Sequence, residues 1–218
     1  MEIILIRHGE SEHNARSASV RDCSITALGR EQAQRAAKAL ADYAVKRVFC
    51  SPQRRAMETG AYLADQHDVE MHLWPEITEN GFSGEEPGLS RSEIARIFPR
   101  VVLPEWVDEA GCLRHWGDEE TEALSQRTRK AAEQFRAWAA EEAFTCIACI
   151  IHGTSGSWIL RHLLQTGLDG KVGFPHHNCG ITRLRIDAEG NVMVNALNET
   201  GHLAGLPLRT PHAESASY

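Results

Sequence analysis

The sequence predicts an α/β fold, a three-layer sandwich in which helices flank a mostly parallel central sheet. Three observations lead to it. Apolar runs rich in β-branched residues alternate along the chain with longer segments of helical periodicity. Two of the runs, at residues 3–6 and 146–151, are apolar without interruption, as in strands covered on both faces. Each of these two runs is followed closely by a histidine and a glycine, so the same strand-end pattern occurs twice.

The expected elements follow from local patterns. Thr26 is a suitable N-cap, and Ser51-Pro52 combines a possible cap with a proline suited to the first helical position. The expected strands cover about residues 3–6, 47–50, 70–74, 146–151, 181–186 and 192–197, the last two as a hairpin. The expected helices cover about residues 26–44, a segment from 52 onward, 90–98, 119–142 and 155–165.

Residues 75–117 break this alternation. They contain five glycines and four prolines, and only residues 90–98 within them have helical periodicity. Long irregular insertions in a compact domain are usually functional, so we expect a lid over the C-terminal edge of the strands. Trp106 and Trp116 give this lid apolar surface to bury. We expect a polar tail from residue 207, and a single domain over residues 1–218.

Composition and charge narrow the class of protein. The chain has 218 residues, 42% of them apolar, which suits one domain with a full core. Its net charge of −7 argues against a nucleic-acid or anionic-membrane partner. The chain contains no apolar run as long as a membrane span and no signal-peptide pattern, so we expect a cytoplasmic protein.

The six cysteines lack the spacing of a disulfide framework and are expected to be buried free thiols. Cys146 and Cys149 have the spacing of a zinc or redox pair. Residues three apart on a strand point to opposite faces, however, so we expect no joint site from them.

Three strand ends are followed by cationic or imidazole side chains, namely Arg7 with His8, Arg54 with Arg55, and His152. In open α/β sheets ligands bind at the C-terminal edge of the strands. The planar fork of arginine matches phosphate oxygens, and a neutral imidazole can accept a phosphoryl group covalently. Since the sequence has neither a carboxylate cluster nor a P-loop, we expect phosphoryl chemistry that needs no metal and no cofactor.

Such chemistry also needs a proton donor. The insertion offers four glutamates for this role, Glu76, Glu79, Glu85 and Glu86. The residue pattern alone does not choose among them.

The chain resembles the histidine phosphatase superfamily, the phosphoglycerate-mutase-like fold. The residues named above belong to an ordered set of motifs that extends along nearly the whole chain. A lone Arg-His-Gly tripeptide would be a weak signal, whereas the ordered set of motifs is a strong one. The matching stretches are Leu5-Ile6-Arg7-His8-Gly9-Glu10-Ser11 with Asn14, Thr26 with Gly29 and Gln32-Ala33, Ser51-Pro52-x-x-Arg55-Ala56 with Glu58-Thr59, His152-Gly153, Asn178, and Asn198-Glu199-Thr200-Gly201-His202-Leu203.

The resemblance implies a role for each matching position. His8 would be the phosphorylated nucleophile, and Arg7, Arg55 and His152 would complete the phosphate pocket. Ser11 and Asn14 are candidates for further contacts to the phosphate.

Arg55 is preferred to Arg54 because it occupies the arginine position of the Ser-Pro-x-x-Arg motif. The two side chains lie about 100° apart on a helix, so only one should face the phosphate. Arg54 is then expected to be a solvated helix residue.

For the proton donor we favour Glu79, with Glu76 as the alternative, because Ile77-Thr78-Glu79 resembles the branch with a longer lid. His176 and His177 are expected to hydrogen-bond locally or to line the rim of the pocket. We expect no metal site.

We therefore expect a phosphomonoester hydrolase whose partner is a small-molecule phosphomonoester. Two alternatives stay open. A phosphoglycerate-type mutase would return the phosphoryl group to a bound sugar acid, and a non-catalytic relative would only bind phosphorylated ligands.

Overall fold

The computed structural model describes residues 1–20, 22–80, 86–114, 117, 119–168 and 171–208. In these ranges helices lie on both faces of one seven-stranded sheet. Its strands are β1 (Glu2–Arg7), β2 (Val48–Cys50), β3 (Met71–Leu73), β4 (Val101–Val102), β5 (Cys146–Ile151), β6 (Ile181–Ile186) and β7 (Val192–Glu199). The helices are α1 (Ala27–Ala39), α2 (Arg54–His67), α3 (Arg91–Ile97), α4 (Thr121–Ala140) and α5 (Gly153–Leu164).

The order of the strands is β4-β3-β2-β5-β1-β6-β7. The first five run parallel to one another, and β6 and β7 form the antiparallel hairpin at one side. This confirms the α/β class. It also brings the C-terminal ends of β1, β5 and β2 side by side, where a ligand can reach all three.

Successive side chains of β1 point to opposite faces of the sheet and pack in two separate apolar layers. Ile4 and Ile6 pack on the face covered by α1 and α2, whereas Ile3 and Leu5 pack on the face covered by α4 and α5. All four are fully buried, which explains why their run has no polar interruption. The central strands are therefore held from both sides, and their ends form a firm base for the groups that follow.

The six cysteines are free and buried, as the sequence predicts. Cys146 packs in the layer of α1 and α2, and Cys149 in the opposite layer. The pair therefore shares no site.

The expected start of α2 was wrong. The helix begins at Arg54 with Gln53 as its N-cap residue, not at Pro52 with Ser51 as the cap. The Ser51 hydroxyl instead accepts a bond from the Gln53 N–H (3.3 Å). The Arg54 N–H is satisfied by Oδ1 of Asp22 (2.8 Å), so the cap comes from a distant loop.

Helix α1 also ends earlier than expected, with Leu40 as its C-cap rather than at about residue 44. Its start is as predicted, because Thr26 Oγ1 accepts the Gly29 N–H (3.0 Å).

The insertion at residues 75–117 is less irregular than the sequence suggests. It opens with a 3₁₀ turn at Pro75–Ile77, contains α3 with a Ser90–Glu93 capping box, and adds β4 to the sheet beside β3. A two-residue strand is too short to leave a pattern in the sequence. Trp106 is partly buried against the core, whereas Trp116, residues 81–85 and the tail beyond residue 208 lie outside the described residues. No helix in the described ranges has the length and apolar character to cross a membrane.

Candidate active site

His8 follows directly after β1 and is only 3% exposed. Its Nδ1 lies 2.8 Å from the Gly9 carbonyl oxygen, and the Nε group of Arg55 donates to its Nε2 at 3.2 Å. A carbonyl oxygen can only accept and a guanidinium can only donate. The two partners therefore fix the neutral tautomer, with the proton on Nδ1 and the lone pair on Nε2.

The surroundings of His8 also keep its ring neutral. Burial lowers the pKa of His8 well below its ordinary value, and the nearby positive charges of Arg55 and Arg7 lower it further. At neutral pH the ring therefore carries a lone pair on a defined atom, which is what a nitrogen nucleophile requires.

Arg7 and Arg55 place two guanidinium groups beside this ring. Burial lowers the pKa of both, and the negative charge of Glu79 opposes that effect in each case. Arginine stays protonated even so. Arg7 donates to the His176 carbonyl (2.6 Å), while its buried Nε has no hydrogen-bond partner in the described part of the chain. A buried donor of this kind is suited to an anion.

His152 follows β5 as His8 follows β1. The two strands pair in register, Arg7 beside Ile151, so the rings lie 4.9 Å apart. Burial lowers the pKa of His152 well below its ordinary value, with further contributions from Arg55, His8 and Arg7. Two histidines that are distant in the sequence thus face one space, each in its neutral form.

Glu79 lies across the first turn of α5. Its Oε2 accepts the Thr154 N–H (2.9 Å) and its Oε1 accepts the Ser155 N–H (3.0 Å). A carboxylate at a helix N-terminus is favoured both by the unpaired N–H groups and by the helix dipole. A Cβ built at Gly153 would lie 3.8 Å from Arg7 Cζ and 3.9 Å from Glu79 Oε2, so this glycine lies close to both the acid and the arginine.

The other glutamates of the insertion have different surroundings. Glu76 lies in the 3₁₀ turn, and its backbone carbonyl accepts from Arg127 (2.8 Å). Glu86 accepts the Asp22 N–H (2.5 Å), and Glu85 lies outside the described residues. Of the described members of this set, Glu79 is the one whose charge acts on both Arg7 and Arg55.

Ser11 and Asn14 stabilise the loop that follows His8. The Ser11 N–H donates to Asn14 Oδ1 (3.3 Å), and the Asn14 N–H donates to Ser11 Oγ (3.2 Å). Asn178 links this pair to the nucleophile, since its Nδ2 donates to the His8 carbonyl (2.9 Å) and to Asn14 Oδ1 (3.1 Å). The three side chains hold the loop close to the histidine.

Arg54 and the paired histidines lie in different surroundings. Arg54 forms an ion pair with Glu58 one turn along α2 (2.9 Å) and is 38% exposed at its side chain. His176 is buried and its pKa is lowered to about 3, mainly by burial and then by Arg7. The ring of His177 bonds to the Asn198 side chain (2.8 Å).

Two residues of the site carry no role in the sequence analysis. Gln53 is fully buried, and its Oε1 accepts from Arg55 Nη2 (3.2 Å) and from the Glu79 N–H (3.3 Å). Thr59 Oγ1 accepts the Gly9 N–H (3.0 Å) and donates to the Arg55 carbonyl (2.7 Å). Gln53 is an unspecified position of the Ser-Pro-x-x-Arg motif, so the motif gives no signal for it.

The side chains described above are suited to an anion. Within the described ranges no cluster of three or more His, Cys, Asp or Glu side chains has the arrangement of a metal site. What the geometry offers is two guanidinium groups, two neutral imidazoles and a carboxylate around one space at the strand ends. That set can bind a phosphoryl group, accept it on nitrogen and exchange a proton with its ester oxygen.

Comparisons with known proteins identify the family of the chain. Residues 3–199 match the family model of the histidine phosphatase superfamily (branch 1). A glucosyl-3-phosphoglycerate phosphatase of Mycolicibacterium vanbaalenii is 26% identical over 156 residues, 69% of this chain and 68% of that protein.

Solved structures have the same fold. An alpha-ribazole phosphatase from Shigella flexneri matches with a TM-score of 0.66 at 23% identity, over 91% of this chain and 96% of its own. A phosphoserine phosphatase from Entamoeba histolytica matches with a TM-score of 0.64 at 22% identity, over 93% of this chain and 98% of its own.

Proposed function

The chain belongs to the histidine phosphatase superfamily (branch 1), and we propose that it is a metal-independent phosphomonoester hydrolase acting through a phosphohistidine intermediate on His8. The observation that carries the proposal is the hydrogen bonding of the His8 ring. Its Nδ1 faces the Gly9 carbonyl and its Nε2 faces Arg55, so the lone pair lies on Nε2, at the cationic side of the ring.

In the first step, Arg55 gives up its hydrogen bond to His8 Nε2 in favour of a phosphoryl oxygen. The lone pair on Nε2 is then free to form a bond to phosphorus as the ester P–O bond breaks. The carboxylate of Glu79 takes up the proton that the bound phosphate monoanion brings and gives it to the departing ester oxygen. The Nδ1–H of His8 keeps its bond to the Gly9 carbonyl, which stabilises the positive ring that forms.

In the second step, Glu79 accepts a proton from water while the water oxygen bonds to phosphorus. The N–P bond breaks, its electron pair returns to His8 Nε2, and inorganic phosphate leaves. Through both steps Arg7, Arg55 and His152 face the phosphoryl oxygens and stabilise their charge.

We propose a small organic phosphomonoester as the substrate class. The similar proteins named above are phosphatases whose names refer to small phosphorylated metabolites. The burial of His8 and His152 supports the same class, because so little exposed surface favours a small substrate over a bulky partner.

Hydrolysis of p-nitrophenyl phosphate in excess EDTA tests this proposal, with His8→Ala beside the wild type. We expect activity that survives chelation and is lost in His8→Ala, together with an acid-labile phosphoenzyme in the wild type alone. Activity that EDTA abolishes, or that His8→Ala retains, would contradict the mechanism. Transfer of the phosphoryl group to a sugar acid in place of water would show the mutase instead.

A further inference from the structure

Arg127, in the second turn of α4, makes an unusual set of bonds for a helix side chain. Its Nη1 donates to two backbone carbonyls, those of Glu76 (2.8 Å) and Thr78 (2.8 Å). Its Nε and Nη2 donate to the two carboxylate oxygens of Glu119. Four of the five guanidinium N–H groups are thus used, in the bidentate geometry that only arginine offers.

This arrangement is largely out of solvent. The side chain of Arg127 is 13% exposed and that of Glu119 is 18% exposed. A pair with so little solvent around it holds its geometry much better than a surface pair does, and loss of one partner leaves the other uncompensated. The bonds are therefore a firm link between α4 and the backbone at residues 76–78.

That backbone leads directly to Glu79. The carbonyl between the two that Arg127 binds, that of Ile77, accepts from Ser155 Oγ (3.2 Å), and the Glu79 N–H donates to Gln53 Oε1 (3.3 Å). The segment before the acid is thus fixed by side chains from α4, from α5 and from the start of α2. Without Arg127, two carbonyls would lose their donors and the approach to Glu79 would loosen.

Arg127 also joins the two ends of the insertion. The carbonyls of Glu76 and Thr78 belong to its beginning, and Glu119 follows its end in the chain. One guanidinium therefore closes the base of the segment that carries the acid.

We propose that Arg127, oriented by Glu119, is a positioning residue for the proton donor Glu79. This inference rests on the proposed function, since it gives Glu79 the role of acid. The hydrogen bonds of Arg127 in the described part of the chain go to the backbone that places the acid and to Glu119, and its charge is the smallest of the contributions to the lowered pKa of His152. Its removal should therefore weaken proton donation more than phosphate binding.

The test compares Arg127→Met with the wild type on two esters, p-nitrophenyl phosphate and glycerol 2-phosphate. The values of kcat/KM report phosphoryl transfer to His8, which needs a proton donor for the alkyl ester far more than for the aryl ester. We expect the loss on the alkyl ester to exceed the loss on the aryl ester by about 10-fold or more, a fraction of the full general-acid contribution. In a Glu79→Gln background the same substitution should add little selective loss.

Arg136→Met is the matched control. Arg136 lies on the same helix and donates to two backbone carbonyls, those of Gly190 (2.9 Å) and Leu163 (2.7 Å), but these are remote from the acid. Its loss should change both esters equally. Glu119→Gln, which keeps Arg127 but weakens its partner, should give a smaller selective loss and decides the matter if Arg127→Met does not fold.

The outcomes separate the two proposals. If the wild type forms no phosphohistidine, the proposed function fails. If wild type and Glu79→Gln behave as expected while Arg127→Met slows both esters equally, as Arg136→Met does, this inference alone is overturned.

Discussion

Strands β1 and β5 lie side by side and end in similar sequences, yet the structures that follow them differ. Each is an apolar strand whose end is followed by a histidine and a glycine. After β1 the chain enters a loop, and both nitrogens of the His8 ring have polar neighbours. After β5 the chain enters α5 at once, and His152 is the N-cap residue. The ring nitrogens of His152 have no hydrogen-bond partner in the described part of the chain.

The difference teaches that a repeated motif does not by itself identify the nucleophile. Both rings are buried and both have a lowered pKa, so neutrality does not distinguish them. What distinguishes His8 is an acceptor on one side and the donor Arg55 on the other, which define the tautomer. The donor that defines this tautomer comes from α2, a third part of the sequence.

The largest expected effect comes from replacing the two histidines one at a time. His8→Ala should lower kcat by a factor of about 10⁴ or more, because the nucleophile is lost. His152→Ala should lower kcat by about 10² to 10³, the scale of one lost donor to developing charge, and should still form the phosphoenzyme. Rapid-quench trapping with radiolabelled substrate measures both, and a phosphoenzyme in His8→Ala would reverse the assignment.

The second prediction concerns Arg55, the hydrogen-bond donor that His8 has and His152 lacks in the described part of the chain. Arg55→Met takes away a positive charge that lowers the pKa of His8, so that pKa should rise toward its ordinary value. The acid limb of kcat/KM should therefore move to higher pH, and kcat/KM should fall by about 10²-fold or more at its optimum. Histidine titration by NMR measures the pKa directly. A His8 pKa that stays unchanged would show that burial and Arg7 keep the ring neutral without Arg55.

The smallest effect concerns the two glycines. A Cβ at Gly9 would lie 2.5 Å from the Gly29 carbonyl oxygen, which the backbone cannot yield without rearrangement, whereas a Cβ at Gly153 makes only ordinary contacts. Gly9→Ala should lower the free energy of unfolding by about 1–3 kcal/mol, and Gly153→Ala should change it by no more than about 0.5 kcal/mol. Urea denaturation measures both, and equal losses would contradict the packing argument.

The strand ends are the part of the site that the sequence predicts well. The uninterrupted runs identify β1 and β5, and parallel pairing then brings the residues after them together. The position of Arg55 follows from the Ser-Pro-x-x-Arg motif in the same way. Chemical roles at these positions stay predictions until they are measured.

The rest depends on contacts between distant segments, which leave no local pattern. The first N–H group of α2 is capped by Asp22, which is distant in the sequence. The local pattern therefore points to Ser51, which does not cap the helix. Gln53 gains its role only because Arg55 and Glu79 meet at its amide. Strand β4 is two residues long and owes its existence to β3 beside it.

The strand order has a consequence for synthesis of the chain. Strand β5 lies between β1 and β2, although it follows both in the sequence. While the ribosome has made only the first half of the protein, β1 and β2 have no strand between them and their apolar edges stay open. His152 can therefore join Arg7, His8 and Arg55 only after β5 has emerged, at the same moment as the centre of the core forms.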